Sequence, residues 1–206
     1  MTRIRILIAD DHPVFRQGLA ALIANEHDLQ LVGEASDGNE ALSQYRRLRP
    51  DITLLDVRMP LMDGIEVTRV IRAEFPAASI IVLTTFAGDV SAHRALSAGA
   101  QAYVLKGLLR KELLDTIRAV ARGQKRVDPA IAAEIAYHSG EELLSAREID
   151  VLKFAALGNS NKRIAVHLSI TEETVKAHMR TILAKLNAND RTHAVTIGLT
   201  RGIIHM

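Results

Sequence analysis

Three carboxylates stand where apolar runs end: Asp10 and Asp11 close "IRILIADD", and Asp56 closes "ITLLD". Two further runs finish on groups of complementary chemistry, "SIIVLTT" on a threonine pair that includes Thr84, and "QAYVLK" on Lys106. Carboxylates brought together repel unless a cation joins them, and hard oxygen ligands with positions left for water suit Mg2+. A carboxylate nucleophile, a divalent ion, a hydroxyl and an ammonium make up a phosphoryl-binding set. Each residue alone has a plainer reading. Asp10 or Asp11 caps the helix that opens near Pro13, Asp56 is a turn residue before Met59-Pro60, Thr84 is a strand residue and Lys106 a solvated lysine. Their joint occurrence at corresponding strand ends favours one site. Neither a Gly-rich Walker sequence nor a kinase loop accompanies them.

The elements that must position these groups show in the periodicity. Short apolar runs at 4–10, 29–35, 52–56, 79–85 and 101–106 alternate with helical patterns at about 13–25, 38–48, 64–75, 88–98 and 110–122. Continuous Ile/Val/Leu runs bounded by turn residues indicate strands buried on both faces of a parallel sheet. Five units in this rhythm predict a doubly wound, five-stranded parallel α/β domain, flavodoxin-like, over 1–122. In such a sheet the ligand site lies beyond the carboxyl ends of the strands, at a topological switch point. Residues 123–140, with glycine near both ends, read as a linker. From 141 to 206 all periodicity is helical, in segments at about 145–157, 160–168, 172–186 and 190–202, which predicts a small all-α domain.

Composition narrows the class. The chain has 206 residues, 48% hydrophobic and 24% charged, enough for real cores, and no cysteine, which excludes disulfides and thiolate metal sites and suits a reducing cytoplasm. The opening "MTRIRILIAD" looks superficially like a signal peptide, but its apolar run is short and ends in acids, so export is not expected. No window approaches the roughly 20 apolar residues of a membrane span. The net charge is only +2. Its distribution says more: residues 1–122 hold 15 basic and 15 acidic side chains, whereas 160–191 holds 6 basic against 3 acidic, a local surplus suited to phosphate.

That surplus falls on two short helices joined by a tight turn. Thr171 precedes Glu172-Glu173 and can cap the second helix, where Val175, Met179, Ile182, Leu183 and Leu186 mark the buried face. The opposite stripe carries Glu173, Lys176, Ala177, Arg180 and Ala184. Small residues beside two cations one turn apart let a helix enter a groove of duplex DNA and reach bases or phosphates. On periodicity alone an ordinary solvated helix face is the competing reading. The histidines are read as structural or phosphate-facing and not as a metal site; His167, His178 and His193 lack partners at ligand spacing. Only 3% of residues are aromatic, which leaves no stacking platform for single strands.

"IADDHPVFRQGL", "LLDVRMPLMDG", "IIVLTTF" and "SAGAQAYVLKG" resemble, in order and spacing, the receiver domain of two-component response regulators. "LLSAREIDVLKFAALGNSNKRIAVHLSITEETVKAHMRTILAKLNANDRTHAV" resembles the LuxR-type four-helix DNA-binding domain, and the full chain is similar to the NarL/FixJ family. The resemblance implies that Asp56 accepts a phosphoryl group from a sensor histidine kinase. It implies that Asp10, Asp11, Asp56 and the backbone carbonyl of Arg58 hold Mg2+, that Lys106 binds the phosphoryl oxygens, and that Thr84 and Tyr103 are the switch residues. In the output domain it matches Lys176, Ala177 and Arg180 to base-contacting positions and makes Asn161, Lys162, Thr174, His178 and Lys185 backbone-contact candidates. It implies a homodimer through the last helix, with RNA polymerase as a possible further partner and no membrane. The family often has proline after the lysine, where this chain has Gly107, so the loop there is less constrained. Two rivals stay open: a Mg2+-dependent phosphohydrolase, disfavoured because Arg58 replaces the acid such enzymes often carry two residues past the nucleophile, and a DNA binder that ignores phosphorylation.

Overall fold

The computed structural model describes residues 3–85, 88–107, 110–127, 131–133 and 142–204. The chain divides into two compact units, one of residues 1–85 with 92–130, the other of 86–91 with 131–206. The first is built on strands β1 (Ile4–Ala9), β2 (Leu29–Ala35), β3 (Ile52–Asp56), β4 (Ile80–Thr84) and β5 (Ala102–Leu105). Between them run helices α1 (Pro13–Ala24), α2 (Gly38–Leu48), α3 (Gly64–Glu74) and α4 (Asp89–Ser97), with α5 (Arg110–Ala121) after β5. The strands lie parallel in the order β2-β1-β3-β4-β5, so the direction of winding reverses between β1 and β3. A sixth strand, β6 (Arg126–Val127), pairs with the outer edge of β5 inside the stretch expected to be linker. "QKRVD" contains one apolar residue and therefore no apolar run; β6 exists because the edge of β5 offers main-chain partners, as where Arg126 N–H donates to the Gln101 carbonyl at 2.8 Å. Linker residues 128–130 and 134–140 lie outside the described residues.

Side-chain parity explains what the sheet delivers. Ile6 and Ile8, Ile52 and Leu54, Ala102 and Val104 all pack with α1 and α5 residues such as Leu19, Ile23, Leu114 and Ile117. Continued by two residues, those same rows place Asp10, Asp56 and Lys106 on one face at the carboxyl edge. Local chemistry sets where the helices begin. Pro13 opens α1, and the Asp37 and Asp63 carboxylates cap α2 and α3 by accepting from the N–H of Glu40 and Glu66. Gly64 allows α3 to start against β3, since a Cβ there would fall 2.0 Å from the Asp56 carbonyl oxygen.

The second unit contains α6 (Ala146–Ala156), α7 (Asn161–Leu168), α8 (Glu172–Lys185) and α9 (Arg191–Thr200). Val151, Leu152, Ile164, Val175, Met179, Ile182 and Ala194 form its core. Ser145 and Glu148 form a reciprocal capping box at α6. The Glu148 carboxylate, buried, also meets the Lys185 ammonium of α8 at 3.1 Å. Burial pushes this carboxyl up, but the Ser145 N–H and the Lys185 ammonium outweigh it and hold the group below its ordinary 4.5.

Two outcomes are expected. Gly64→Ala should lower stability by about 1–3 kcal/mol, read from the urea midpoint, because the clash is with backbone. Ionised Glu148 contributes stability that is complete above pH 4.5 and lost as the pH falls through its lower folded value, so Glu148→Gln should flatten that acid limb in thermal melts.

Candidate functional site

β1 and β3 flank the switch point, and their ends bring Asp10, Asp11 and Asp56 together. Asp10 and Asp56 are buried and Asp11 is half-buried. Lys106, just past β5, donates to Asp56 Oδ2 at 2.8 Å and stands 2.7 Å from Asp10 Oδ2. The second contact is ionic without hydrogen-bond alignment, which leaves Asp10 Oδ2, like Asp11 Oδ1, a buried acceptor with no donor aimed at it. The Lys106 ammonium also lies 4.7 Å from the centre of the Phe15 ring. Three carboxylates and one ammonium leave a formal charge of about −2, which a divalent cation would offset, and the orphaned oxygens are hard donors, so the residues present fit such an ion. Burial raises the Asp56 carboxyl above its ordinary 3.8; Lys106 and the Arg58 N–H pull the other way and Asp10 adds to the rise.

The structure places the other expected residues around this cluster. Thr84 is buried at the end of β4, one residue beyond Leu83, the register partner of Asp56. Its carbonyl accepts from Lys106 N–H at 2.6 Å. Tyr103 is fully buried on the opposite sheet face from Ala102 and Val104. Arg58 is exposed, and its guanidinium donates to Thr85 Oγ1 at 3.2 Å, from the loop after β3 to the loop after β4. Sequence reasoning missed one member. His12 joins the acids, with Nδ1 at 2.6 Å from Asp11, 3.3 Å from Asp10 and 3.9 Å from Asp56. One ligand atom from each of Asp10, Asp11, His12 and Asp56 lies within 4.8 Å of the others. The signal for His12 in the sequence is its adjacency to the acid pair.

In the second unit, α8 carries Lys176, Ala177 and Arg180 on one exposed stripe. Glu173 shares it, 3.4 Å from the Lys176 ammonium and 3.6 Å from the Arg180 guanidinium, exposed pairs that contribute little to stability and exchange readily. Thr174 and His178 are half-buried beside the stripe, and the Thr174 hydroxyl bonds that of Thr171. Lys162 is exposed at the start of α7, while Asn161 accepts from Arg191 at 3.0 Å. Lys185 is not on the stripe. Its ammonium turns to Glu148 and the Leu143 carbonyl, a fixed internal cation and not a free one.

Residues 6–118 match the model of the response regulator receiver domain, and residues 142–197 that of the bacterial regulatory proteins of the luxR family. The chain belongs to the response regulator receiver family. It carries a LuxR-type output domain. It is 41% identical to the transcriptional regulatory protein LiaR of Bacillus subtilis over 93% of this chain and 94% of that one. It is 35% identical to the response regulator protein VraR of Staphylococcus aureus over 98% and 99%. Among solved structures, the response regulator ChrA of a heme-sensing two-component system matches with a TM-score of 0.59 at 34% identity, over 99% of this chain and all of that one. The regulator's acid cluster and exposed basic stripe thus lie in its two matched regions. Among the described residues, no helix is long and apolar enough to cross a membrane.

Because ionised Asp56 is unfavourable in the folded protein, its raised value means stability is lost as the pH rises through it. Asp56→Asn should therefore melt higher than the parent at neutral pH in metal-free buffer, with the gap closing below about pH 4, as differential scanning calorimetry would read.

Proposed function

We propose that this response regulator takes a phosphoryl group on Asp56 from a sensor histidine kinase and thereby controls its binding to specific duplex DNA. The observation that carries the reading is the sharing of one ammonium, on Lys106, between two buried carboxylates at the switch point of the sheet. An Asp56 oxygen attacks phosphorus, the P–N bond to the kinase histidine breaks as the P–O bond forms, and the leaving imidazole keeps the electron pair. Lys106 follows the new phosphoryl oxygens, and Thr84 moves toward them with Tyr103 behind it, so phosphorylation biases two arrangements of the loop after β4. Asp10, Asp11, Asp56 and the Arg58 carbonyl would hold Mg2+, which would offset charge on the transferring phosphoryl group.

On the output side, Lys176, Ala177 and Arg180 face the major groove, with Asn161, Lys162, Thr174 and His178 toward phosphates. Residues 1–122 act as receiver and 141–206 as DNA-binding domain, joined by 123–140. The protein works in the cytoplasm as a homodimer through α9 on paired half-sites, with RNA polymerase as a further partner.

Selection of bound sequences from random duplex DNA, with and without an acyl phosphate donor, tests the reading. Paired half-sites enriched by donor are expected, and Asp56→Asn should abolish the donor's effect; unchanged donor dependence in that variant would refute the switch. Arg58, reaching Thr85, is placed to keep water from the acyl phosphate. Arg58→Ala should shorten the lifetime of the phosphorylated protein roughly threefold or more, and an equal dephosphorylation rate would refute that role.

A further inference from the structure

A groove of about 710 Å3 lies between α1 and α5, beside the acid cluster but distinct from it. Its walls are apolar, with Phe15 and Leu22 from α1 and Val104 and Leu113 from β5 and α5. The polar side chains that line it are His12, Thr85, Lys106 and Arg110, and among the described residues no carboxylate does. Lys106 is already engaged by Asp10 and Asp56. Arg110 is exposed and forms no ion pair among the described residues. Gly18, in the middle of α1, lines the same groove. Its φ is not positive, and a Cβ built there would meet nothing within 4 Å. Neither backbone nor packing therefore requires glycine, a residue that weakens a helix interior. What the missing side chain does is leave the groove unfilled.

We propose that this groove is a binding site for a medium-chain carboxylate, whose acyl chain lies along Phe15, Gly18 and Leu22 and whose head meets Arg110 at the rim. A cavity of this size, apolar with a few convergent polar groups, has the character of a small-molecule site. A guanidinium matches a carboxylate with two parallel charge-assisted hydrogen bonds. From Val14 to Leu22 α1 rises about 12 Å, which suits a chain better than a compact acid. The unpaired guanidinium also favours an anion over the uncharged side chain of a second copy of the protein. The bound head group lies beside Lys106 and draws its ammonium from Asp56, so the ligand slows phosphorylation. That effect rests on the reading of Asp56 above; binding itself does not.

Isothermal titration of the full-length protein with decanoate, kept below the concentration at which it forms micelles, provides the test. One saturable site is expected in the parent, with affinity falling about tenfold in Arg110→Gln. The loss should exceed about tenfold in Gly18→Leu, whose side chain fills the groove. Gly18→Leu should melt no lower than the parent, because leucine favours the helix and meets no neighbour, so lost binding there is not lost fold. Acetyl phosphate with Mg2+ should label Asp56 about threefold more slowly when decanoate saturates the parent, and Gly18→Leu should lose that dependence. No saturable binding to the parent, or affinity unchanged in both variants, would overturn the site. A parent that sediments as a dimer, becomes a monomer in Gly18→Leu and binds no decanoate would overturn it in favour of a second copy in the groove. If acetyl phosphate fails to label Asp56 without decanoate, the phosphoacceptor reading falls and the binding site stands.

Discussion

Three carboxylates cannot be held at one sheet edge without a cation between them, and most of the first unit follows from that constraint. Two of them sit at the ends of strands whose four preceding residues, 6–9 and 52–55, are fully buried, so their positions are fixed by packing on both faces of the sheet. The parity shared by three strands brings the groups to the same face. Gly64 then allows the following helix to start against the Asp56 carbonyl without moving it. Lys106 supplies only part of the compensating charge, and the remainder is a standing demand for a cation.

The two units use the same kind of contact to opposite ends. Glu148 is buried beside Lys185, as Asp56 is beside Lys106, but the α6 capping box gives Glu148 a second set of donors. Its carboxyl is consequently held low and the pair stabilises the helices. Asp56 is more deeply desolvated and faces Asp10, so its carboxyl is held high. A satisfied buried charge makes a scaffold; an undersupplied one makes a reactive site.

Much of this was legible in the chain. Apolar runs ending on acids foretold the sheet edge, and helical spacing foretold which face of α8 is exposed. What was hidden depended on contacts rather than on periodicity. β6 has no run to detect because its pairing is main chain to main chain. Lys185 reads as one more cation of a basic helix, and only packing against α6 shows its charge already engaged. His12 stands next to the acid pair in sequence, but adjacency alone does not say whether a ring turns toward solvent or toward carboxylates.

The engagement of Lys185 also links residues 142–143 to α8. Its ammonium binds the Leu143 carbonyl at 3.2 Å and lies 3.4 Å from Glu142, just ahead of α6. The same side chain belongs to the last turn of α8. One side chain at the end of α8 thus both neutralises the buried Glu148 carboxylate and holds residues 142–143, so the chain entering α6 cannot lift away without stripping that carboxylate of its counter-charge.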